Sequence, residues 1–440
     1  MLLALTVDNF RSFGGASTLD LQRRAFTTQR PRAGESWREL TWRRAAIFGA
    51  NASGKSNALK PLGLLKNAVS QSLRNDEWVK ILRNPHLLQQ DKSTSFEVDY
   101  TSHDVRFRWS LTLDDAGVVA ETLLANPKLR WQKVFDRNRS ELKFGANSGI
   151  SQAARENIEQ FMQPWTLVFS AWATVKTPGH YSSALDWWSR VLPLIVGGDA
   201  DQDNRHRWLV QLAKENPNWL AALRAVVAVA DVGINDIDIE EHAPEALHSI
   251  HIKLKSDGDD EISHELKSSE INEYLRYILF EHRGYDRSFS LPESEESQGT
   301  RTWMDLAIPA LFALLVGGVL AVDEIDGSLH PLLVRELVAL FDDERLNPLG
   351  AQLLFSTHDT TLLGRHPVEV LNRGEVWFVE KNNSFSELFA LDEFRIREAH
   401  NIERRYLQGK YGALPLTNAE ALLPILNTLR TRYLDLSPNK

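Results

Sequence analysis

The 440-residue sequence contains no cysteine. This absence excludes a disulfide framework, a thiolate nucleophile and a zinc site with cysteine ligands, and it is typical of a reducing compartment. The sequence also lacks an excess of basic residues, since its formal net charge at pH 7 is -9. The charge therefore provides no general attraction to nucleic acid or anionic lipid, and such a contact would need a local basic patch. We expect a cytoplasmic protein.

The sequence has little that suggests targeting or a membrane. Its first residues, MLLALTVDNFRSFGG, have no basic leading region and no small-residue cleavage site, so we expect a strand rather than a signal peptide. The apolar run at 306–322 is close to the minimum length of a bilayer span. Because Gly317-Gly318 interrupts this run and Asp323-Glu324 follows it, we predict a buried helix, a tight turn and a buried strand.

Composition and periodicity divide the chain into four segments. Residues 1–149 contain apolar runs beside turn signals and then an alternating stretch at 94–144, which predict a lobe with an antiparallel meander. Residues 150–230 change to helical periodicity and are rich in tryptophan, which predicts an inserted helical subdomain. Residues 231–400 form a predicted C-terminal lobe, and residues 401–440 form a tail. The expected fold class is α/β.

The strongest motif is GANASGKS, a complete G-x-x-x-x-G-K-[ST] between a predicted strand and a predicted helix. In such a loop the glycines let backbone N–H groups point at phosphate oxygens, the lysine reaches the β- and γ-phosphates, and the hydroxyl ligates Mg²⁺. We therefore predict that Lys55 acts on the phosphates during catalysis and that Ser56 is a metal ligand. The predicted phosphate-binding residues are Gly49, Ala50, Asn51, Ala52, Ser53, Gly54, Lys55, Ser56 and Asn57.

A second motif, VLAVDEID, is an apolar run that ends in two carboxylates. Placing both at the end of a buried strand is costly unless they act at the carboxyl edge of the sheet, where ligands bind in α/β proteins. We predict that Asp323 holds Mg²⁺ through water and that Glu324 polarises the attacking water.

A third motif, AQLLFSTHDTTLL, is another apolar run followed by Ser356-Thr357-His358-Asp359. A single histidine near a strand end usually has a structural role. Here the histidine follows the next predicted strand after the one that ends in the carboxylate pair. We therefore predict that His358 lies next to the γ-phosphate and responds to it.

The motifs together carry a family resemblance. LTVDNFRSF, GANASGKS, SQGT, VLAVDEID with the trailing LHP, and FSTHD resemble the ABC-type ATPase heads of the SMC, RecF and OLD-like group. The C-terminal stretch 377–415 resembles stand-alone bacterial AAA-type ATP-binding proteins related to AriA, PtuA and RloA, several of which serve in anti-phage systems. The resemblance implies an ABC-type P-loop NTPase head with an antiparallel β meander and an inserted helical subdomain, which hydrolyses ATP with Mg²⁺.

The resemblance also assigns residues and an assembly. It implies that Ser297 and Gly299 form a signature loop, that Asp326 is the D-loop aspartate and that His358 is the switch histidine. SQGT keeps only the serine and glycine of the family-wide LSGGQ. In ABC-type heads the signature contacts the nucleotide of the opposite protomer, so the resemblance implies a homodimer when ATP is bound, with possible higher assembly.

One assignment stays open. The Q-loop glutamine is Gln89 or Gln90, although an ordinary surface glutamine fits either position equally.

Ser297 and Gly299 are expected to begin the helix that follows, after a solvated approach loop that contains three glutamates. These glutamates are Glu293, Glu295 and Glu296.

Two functions fit the resemblance. In the first, the chain is the ATPase sensor or scaffold of a defence system and controls a separately encoded effector, a nuclease or toxin. In the alternative, it is a DNA-maintenance or repair ATPase that clamps DNA as RecF or SMC heads do; a transporter subunit is disfavoured by the N-terminal strand and the meander. Residues 359–440 are too few for a Toprim nuclease, so we expect any nuclease on another chain.

Nucleic acid binding is possible but not required. Basic pairs could contact phosphate backbones, although such pairs more often lie in solvent or in salt bridges. The pairs are Arg23-Arg24, Arg43-Arg44, Arg137/Arg139 and Arg404-Arg405. The helical segment and the tail are candidate surfaces for a protein partner, because neither is needed for ATP chemistry.

Overall fold

The computed structural model of the chain confirms the predicted α/β class. The structure describes residues 1–24, 26–128, 130–176, 178–195, 210–212, 216–229, 234–241, 251–254, 262–265, 276–366, 368–397, 400–415 and 419–435.

The described residues contain both strands and helices. The strands are β1 (Leu2–Asp8), β2 (Ser17–Asp20), β3 (Arg44–Phe48), β4 (Thr94–Ser102), β5 (Val105–Asp114), β6 (Gly117–Asn126), β7 (Gln132–Asn138), β8 (Glu141–Phe144), β9 (Val191–Ile195), β10 (Ile234–Glu241), β11 (His251–Leu254), β12 (Ile262–Glu265), β13 (Arg276–Arg283), β14 (Ser288–Pro292), β15 (Val319–Asp323), β16 (Gln352–Ser356), β17 (Val376–Asn382) and β18 (Phe385–Ala390). The helices are α1 (Trp37–Leu40), α2 (Lys55–Gln71), α3 (Glu77–Lys80), α4 (Gln152–Gln160), α5 (Val168–Trp172), α6 (Ser183–Trp188), α7 (Pro217–Val229), α8 (Gln298–Val316), α9 (Pro331–Leu340), α10 (Ile402–Leu407) and α11 (Leu423–Asp435).

The predicted meander is part of a seven-stranded antiparallel sheet with the strand order β2-β1-β4-β5-β6-β7-β8. Its strands alternate between buried and less buried residues, as a sheet with one face on the core requires. In β5 the inward side chains Phe107, Trp109, Leu111 and Leu113 are fully buried. The predicted meander is therefore confirmed.

A second, six-stranded sheet has the order β18-β17-β3-β16-β15-β9, and only the β17–β18 pair is antiparallel. Its central strands read as continuous apolar runs because both faces are covered. In β3, Ala45 and Ile47 face a core shared with α2 and the antiparallel sheet, whereas Ala46 and Phe48 face a core shared with α8 and α9. The order places β16 between β3 and β15, so three strand ends meet at one edge.

Two buried polar contacts fix the base of the P-loop strand. The Arg44 guanidinium donates two hydrogen bonds to the Glu375 carboxylate, at 2.9 and 2.8 Å, and each side chain is 1% exposed. At the start of β16, the buried Gln352 amide accepts from the Leu2 N–H at 2.6 Å and donates to the carbonyls of Leu2 and Trp42. These contacts hold β3 and β16 in register and tie the two sheets together.

The segment 150–230 contains a strand as well as the expected helices. Strand β9 pairs in parallel with β15 at the edge of the six-stranded sheet. The buried side chains of Trp172, Trp187 and Trp188 belong to the same core as Trp109 of the meander. Periodicity missed β9 because a short apolar run is equally compatible with a buried helix. Residues 196–209 of this segment lie outside the described residues, and the domain boundaries remain predictions.

The predicted helix, turn and strand around Gly317 are confirmed. Helix α8 ends where Gly317 adopts a left-handed conformation with φ of 62°, and β15 begins at Val319. By length and composition α8 could cross a membrane, but 67% of its apolar window is buried inside the protein.

The tail consists of two different parts. Tyr406 and Tyr411 are buried, and both stack on Phe378 of β17, at ring distances of 5.2 and 5.7 Å. Tyr406 also contacts Phe48, the residue before the P-loop. The first part of the tail therefore belongs to the core. Helix α11 and the turn before it, in contrast, expose apolar side chains, namely Leu422, Leu423, Ile425, Leu426 and Leu429.

Candidate functional site

The GANASGKS segment forms a loop between β3 and α2, as predicted. Gly54 has φ of 116°, a conformation that other residues rarely adopt. A Cβ at Gly54 would lie 2.5 Å from Ser386 Oγ and 2.8 Å from Ser12 Oγ, so the site also lacks space for a side chain. At Gly49 a Cβ would lie 2.5 Å from the Val379 carbonyl oxygen. The loop thus depends on both glycines.

The loop leaves donors available at the N-terminus of α2. Its N-cap is Gly54, which offers no side-chain cap, and the first N–H groups of a helix have no acceptor within the helix. The buried Ser53 Oγ has no hydrogen-bond partner among the described residues. N–H groups and the positive end of a 17-residue helix form an anion-binding cradle. These residues fit a phosphate chain.

Lys55 lies inside this cradle. Its side chain is buried, and Nζ donates to the carbonyl oxygens of Gly49 at 3.0 Å and Ala50 at 3.2 Å. Burial lowers the pKa of Lys55 below its ordinary value, and the carboxylates of Glu324, Asp323 and Asp326 partly oppose this shift. The structure therefore brings the lysine close to three of the predicted carboxylates.

One serine of β16 bonds to the side chain of Asp323, the last residue of β15, and to the backbone of Glu324. The Ser356 hydroxyl donates to Asp323 Oδ1 at 2.5 Å and accepts the Glu324 N–H at 2.7 Å. Glu324 has φ of 55°, an uncommon conformation for a residue with a side chain. Such strain persists where the surrounding contacts enforce it, and here Ser356 supplies one of them.

Asp326 and His358 meet at the same edge. The His358 N–H lies 3.2 Å from both carboxylate oxygens of Asp326. The His358 side chain is exposed. The carboxylate of the predicted D-loop therefore contacts the backbone of the predicted switch in the same chain, while the imidazole is accessible.

A cavity of about 460 Å³ opens beside the loop. Its lining includes Glu324 and six of the predicted P-loop residues, which are Asn51, Ala52, Gly54, Lys55, Ser56 and Asn57. Three residues that the motifs did not identify, Ser12, Lys60 and Lys381, also line it. Of these, only Ser12 had a sequence signal, because it lies in the NFRSF stretch.

The predicted signature residues are not part of the described lining of this cavity. Ser297 is the N-cap of α8, and its Oγ accepts the Thr300 N–H at 3.1 Å. A Cβ at Gly299 would lie 3.1 Å from the Ser328 carbonyl oxygen, which places the signature beside the loop after β15. Neither Ser297 nor Gly299 is among the described residues that line the cavity.

The approach loop differs from the expected solvated loop at one residue. Glu296 is buried, and its carboxylate forms a short hydrogen bond with His282 Nε2 of β13. The expectation for Glu296 was wrong because β13 was not recognised as the neighbour of this loop, so no partner for the carboxylate was foreseen.

The predicted Mg²⁺ ligands are Ser56 and Asp323. No group of three or more histidine, aspartate or glutamate side chains that could hold a metal occurs in the described part of the chain. Mg²⁺ in a nucleotide site needs only one or two protein oxygens, because phosphates and waters complete its shell. Ser56 lines the cavity, and Asp323 is close enough to affect the Lys55 pKa. The residues fit such an ion.

The Q-loop assignment stays open. Gln89 and Gln90 both lie before β4, where their backbone carbonyls accept from Asn9 and Arg83. Neither is among the described residues that line the cavity.

A family model described as "AAA domain, putative AbiEii toxin, Type IV TA system" matches residues 44–364, more than half of the chain. No curated protein matches.

Several solved structures are remotely similar. The SMC head of Thermotoga maritima is 13% identical with a TM-score of 0.40, over 90% of this chain and 99% of that chain. An SMC head bound to the C-winged helix domain of ScpA is 13% identical with a TM-score of 0.41, over 89% and 98% of the two chains. The Pyrococcus yayanosii Smc head with a coiled coil and joint is 10% identical with a TM-score of 0.40, over 93% and 99%.

Proposed function

The chain belongs to this AAA-domain family, and from that premise we propose that it is a cytoplasmic, Mg²⁺-dependent ATPase whose nucleotide state controls a separately encoded effector protein. The observation that carries the ATPase proposal is the arrangement around Lys55. The buried ammonium sits in a helix N-terminal cradle, and the carboxylates of Asp323 and Glu324 approach it from the end of β15. Cation, cradle and carboxylates are the parts that phosphoryl transfer to water requires.

Each residue has a role in this proposal. The loop N–H groups and Lys55 hold the β- and γ-phosphates, and Lys55 exchanges its bonds to the Gly49 and Ala50 carbonyls for phosphate oxygens. Mg²⁺ held by Ser56 and Asp323 would neutralise charge on the β- and γ-phosphates. Glu324 orients the water that attacks the γ-phosphate, and Ser356 fixes its backbone.

The position of the signature supports a homodimeric active site. Ser297 and Gly299 lie at the start of α8 and do not line the cavity of their own chain within the described residues. The N-terminus of α8 has the donors and the dipole to bind a phosphate. In the proposal, this end of α8 therefore contacts the γ-phosphate held by a second copy, with Asp326 and His358 at the same boundary.

Control of an effector is the finer part of the proposal. The description of the family names a toxin and a toxin–antitoxin system, which supports a defence or toxin-type setting. The exposed apolar residues around α11 support a protein partner, because clustered exposed leucines and isoleucines are typical of interaction surfaces. We place the effector, a nuclease or toxin, on this part of the tail.

The DNA-maintenance alternative receives no support from the basic pairs. Each pair has a guanidinium engaged within the protein: Arg23 over Trp42, Arg44 on Glu375, Arg137 on the Thr166 carbonyl and Arg405 over Tyr411. A guanidinium already engaged in this way is less available to neutralise a phosphate backbone.

Phosphate release by the purified 440-residue chain tests the proposal. With Mg²⁺ and ATP we expect steady hydrolysis by the wild type and none by Glu324→Gln. Co-expression with neighbouring reading frames tests the effector, which should co-purify with the wild type and lose binding when Leu422 and Leu426 are changed to Asp. Hydrolysis without any co-purifying effector would contradict the control role, and absent hydrolysis would contradict the enzyme assignment.

A further inference from the structure

Three lysines line the cavity, and only Lys55 belongs to a recognised motif. Lys60 lies on α2, and Lys381 lies on β17. The one carboxylate in the described lining is that of Glu324. The wall of the cavity is therefore more basic than the motif alone predicts, which favours an anionic ligand.

Helix geometry places Lys60 beside the motif. Lys60 follows Ser56 by four residues and Asn57 by three, and side chains at these spacings share one face of a helix. Since Ser56 and Asn57 line the cavity, the same helix face carries Lys60 toward it. Lys60 thus extends the row of phosphate-facing residues by one turn.

The β17–β18 hairpin places Lys381 on a second element of the cavity wall. Lys381 is paired in register with Ser386, whose hydroxyl donates to the Ser53 carbonyl of the P-loop. The Ser386 N–H donates to the Ser12 carbonyl at 2.8 Å. Lys381 is therefore held on a strand pair that is bonded to the phosphate-binding loop.

Both lysines are available as counter-charges. Neither forms an ion pair with a carboxylate of the described residues, whereas Lys55 has two carbonyl acceptors and three nearby carboxylates. ATP with its Mg²⁺ remains a net anion. Since Glu324 offsets the positive charge of Lys55, the motif residues alone do not neutralise the negative charge of the ligand.

We propose that Lys60 and Lys381 are nucleotide-binding residues that hold the phosphate chain from two different elements of the cavity wall and set the affinity of the site for nucleoside polyphosphates. A lysine ammonium suits this role because it acts on phosphate as a point charge. The inference rests on the proposed ATP binding. It adds two binding residues that take no part in activating the attacking water.

Titration calorimetry with Mg-ATP and with inorganic tripolyphosphate tests the inference. We expect Lys60→Gln and Lys381→Gln each to weaken binding of both ligands by about 10-fold, with a smaller loss for the Arg variants. The difference in affinity between each Gln variant and the wild type should become smaller at high salt, because the lysines act on the ligand through their charge. In hydrolysis, KM should rise by more than kcat falls. Lys66→Gln, on the same helix but outside the cavity lining, is the matched control.

The outcomes separate the inference from the proposed function. If the wild type binds Mg-ATP, Lys55→Ala does not, and both Gln variants bind as Lys66→Gln does, the inference is overturned while ATP binding stands. If the wild type itself binds no Mg-ATP, both are overturned. Melting temperatures of the variants within a few degrees of the wild type show that the fold is intact.

Discussion

The Ser356 hydroxyl donates to the Asp323 carboxylate at 2.5 Å across the β15–β16 strand pair. The same oxygen accepts the Glu324 N–H at 2.7 Å. One fully buried serine thus fixes the residue proposed to hold Mg²⁺ and the backbone of the residue proposed to orient water. It does so from the strand that lies between the P-loop strand and the carboxylate strand.

Ser356→Ala should therefore lower the rate of hydrolysis more than the affinity for ATP. The change removes the donor to Asp323 and leaves the Glu324 N–H unpaired, so both carboxylates lose their alignment. We expect kcat to fall by about 10- to 100-fold, as for other residues that orient metal ligands. The measurement is phosphate release at saturating ATP. Ser110→Ala, which removes a hydroxyl bonded to the Glu97 carboxylate in the meander, should leave kcat unchanged; equal losses in both variants would contradict this role.

Lys55→Ala should abolish binding of Mg-ATP. The lysine is the buried cation of the cradle, and its loss leaves the three nearby carboxylates to repel the phosphates. We expect affinity to fall by at least about 100-fold, measured by titration calorimetry on a variant with an unchanged circular dichroism spectrum. Lys66→Ala on the same helix is the control. If Lys55→Ala kept an affinity for Mg-ATP close to that of the wild type, the nucleotide would not bind at this loop.

Glu375→Gln should destabilise the protein. It removes a carboxylate charge from a bidentate pair in which both side chains are 1% exposed, and Arg44 keeps only the half-exposed Asp342 carboxylate at 3.2 Å. Loss of one partner of a buried pair costs roughly 3–5 kcal/mol of unfolding free energy. Urea denaturation measures it. Glu344→Gln, whose side chain is 85% exposed beside Arg43, should cost about 1 kcal/mol or less. Similar losses of unfolding free energy in the two variants would contradict the larger contribution assigned to the buried pair.

Tyr406 should give the protein a stability contribution that disappears at high pH. Burial raises the pKa of Tyr406 from 10.0 to about 12. Because the folded pKa lies above the unfolded value, the contribution is complete below pH 10 and is lost as pH rises toward about 12. Near neutral pH, Tyr406→Phe should cost about 1 kcal/mol through the lost bond to the Ala413 carbonyl. Between pH 10 and about 12 the difference in unfolding free energy should shift against the wild type by about 1.4 kcal/mol per pH unit, so that its advantage over Tyr406→Phe first disappears and then reverses.

Tyr411→Phe is the matched control for that measurement. Tyr411 stacks on the same Phe378 ring, but its buried hydroxyl has no hydrogen-bond partner among the described residues. Its loss should be neutral or stabilising near neutral pH. A pH-independent difference between the wild type and Tyr406→Phe would contradict the assigned pKa shift.

The sequence predicted the parts of the fold that local patterns determine. The loop before Lys55, the apolar strand before Asp323 and the alternation of the meander are each contained in a few consecutive residues. Contacts between distant segments could not be predicted in this way. Lys381 and Ser12 reach the cavity from strand β17 and from the N-terminal turn, and only the folded chain shows that they meet. Strand β9 was missed because its short apolar run is equally compatible with a buried helix, and only the pairing with the distant strand β15 shows that it is a strand.

The central claim is that ATP joins two copies of the chain through the Lys55 cradle of one and the α8 N-terminus of the other. Sedimentation of Glu324→Gln with and without saturating Mg-ATP tests it most directly, because slow hydrolysis preserves the bound state. We predict a shift to at least a dimer when ATP is added, and no shift when Lys55→Ala is combined with Glu324→Gln. A Glu324→Gln protein that binds ATP and remains monomeric would contradict the claim.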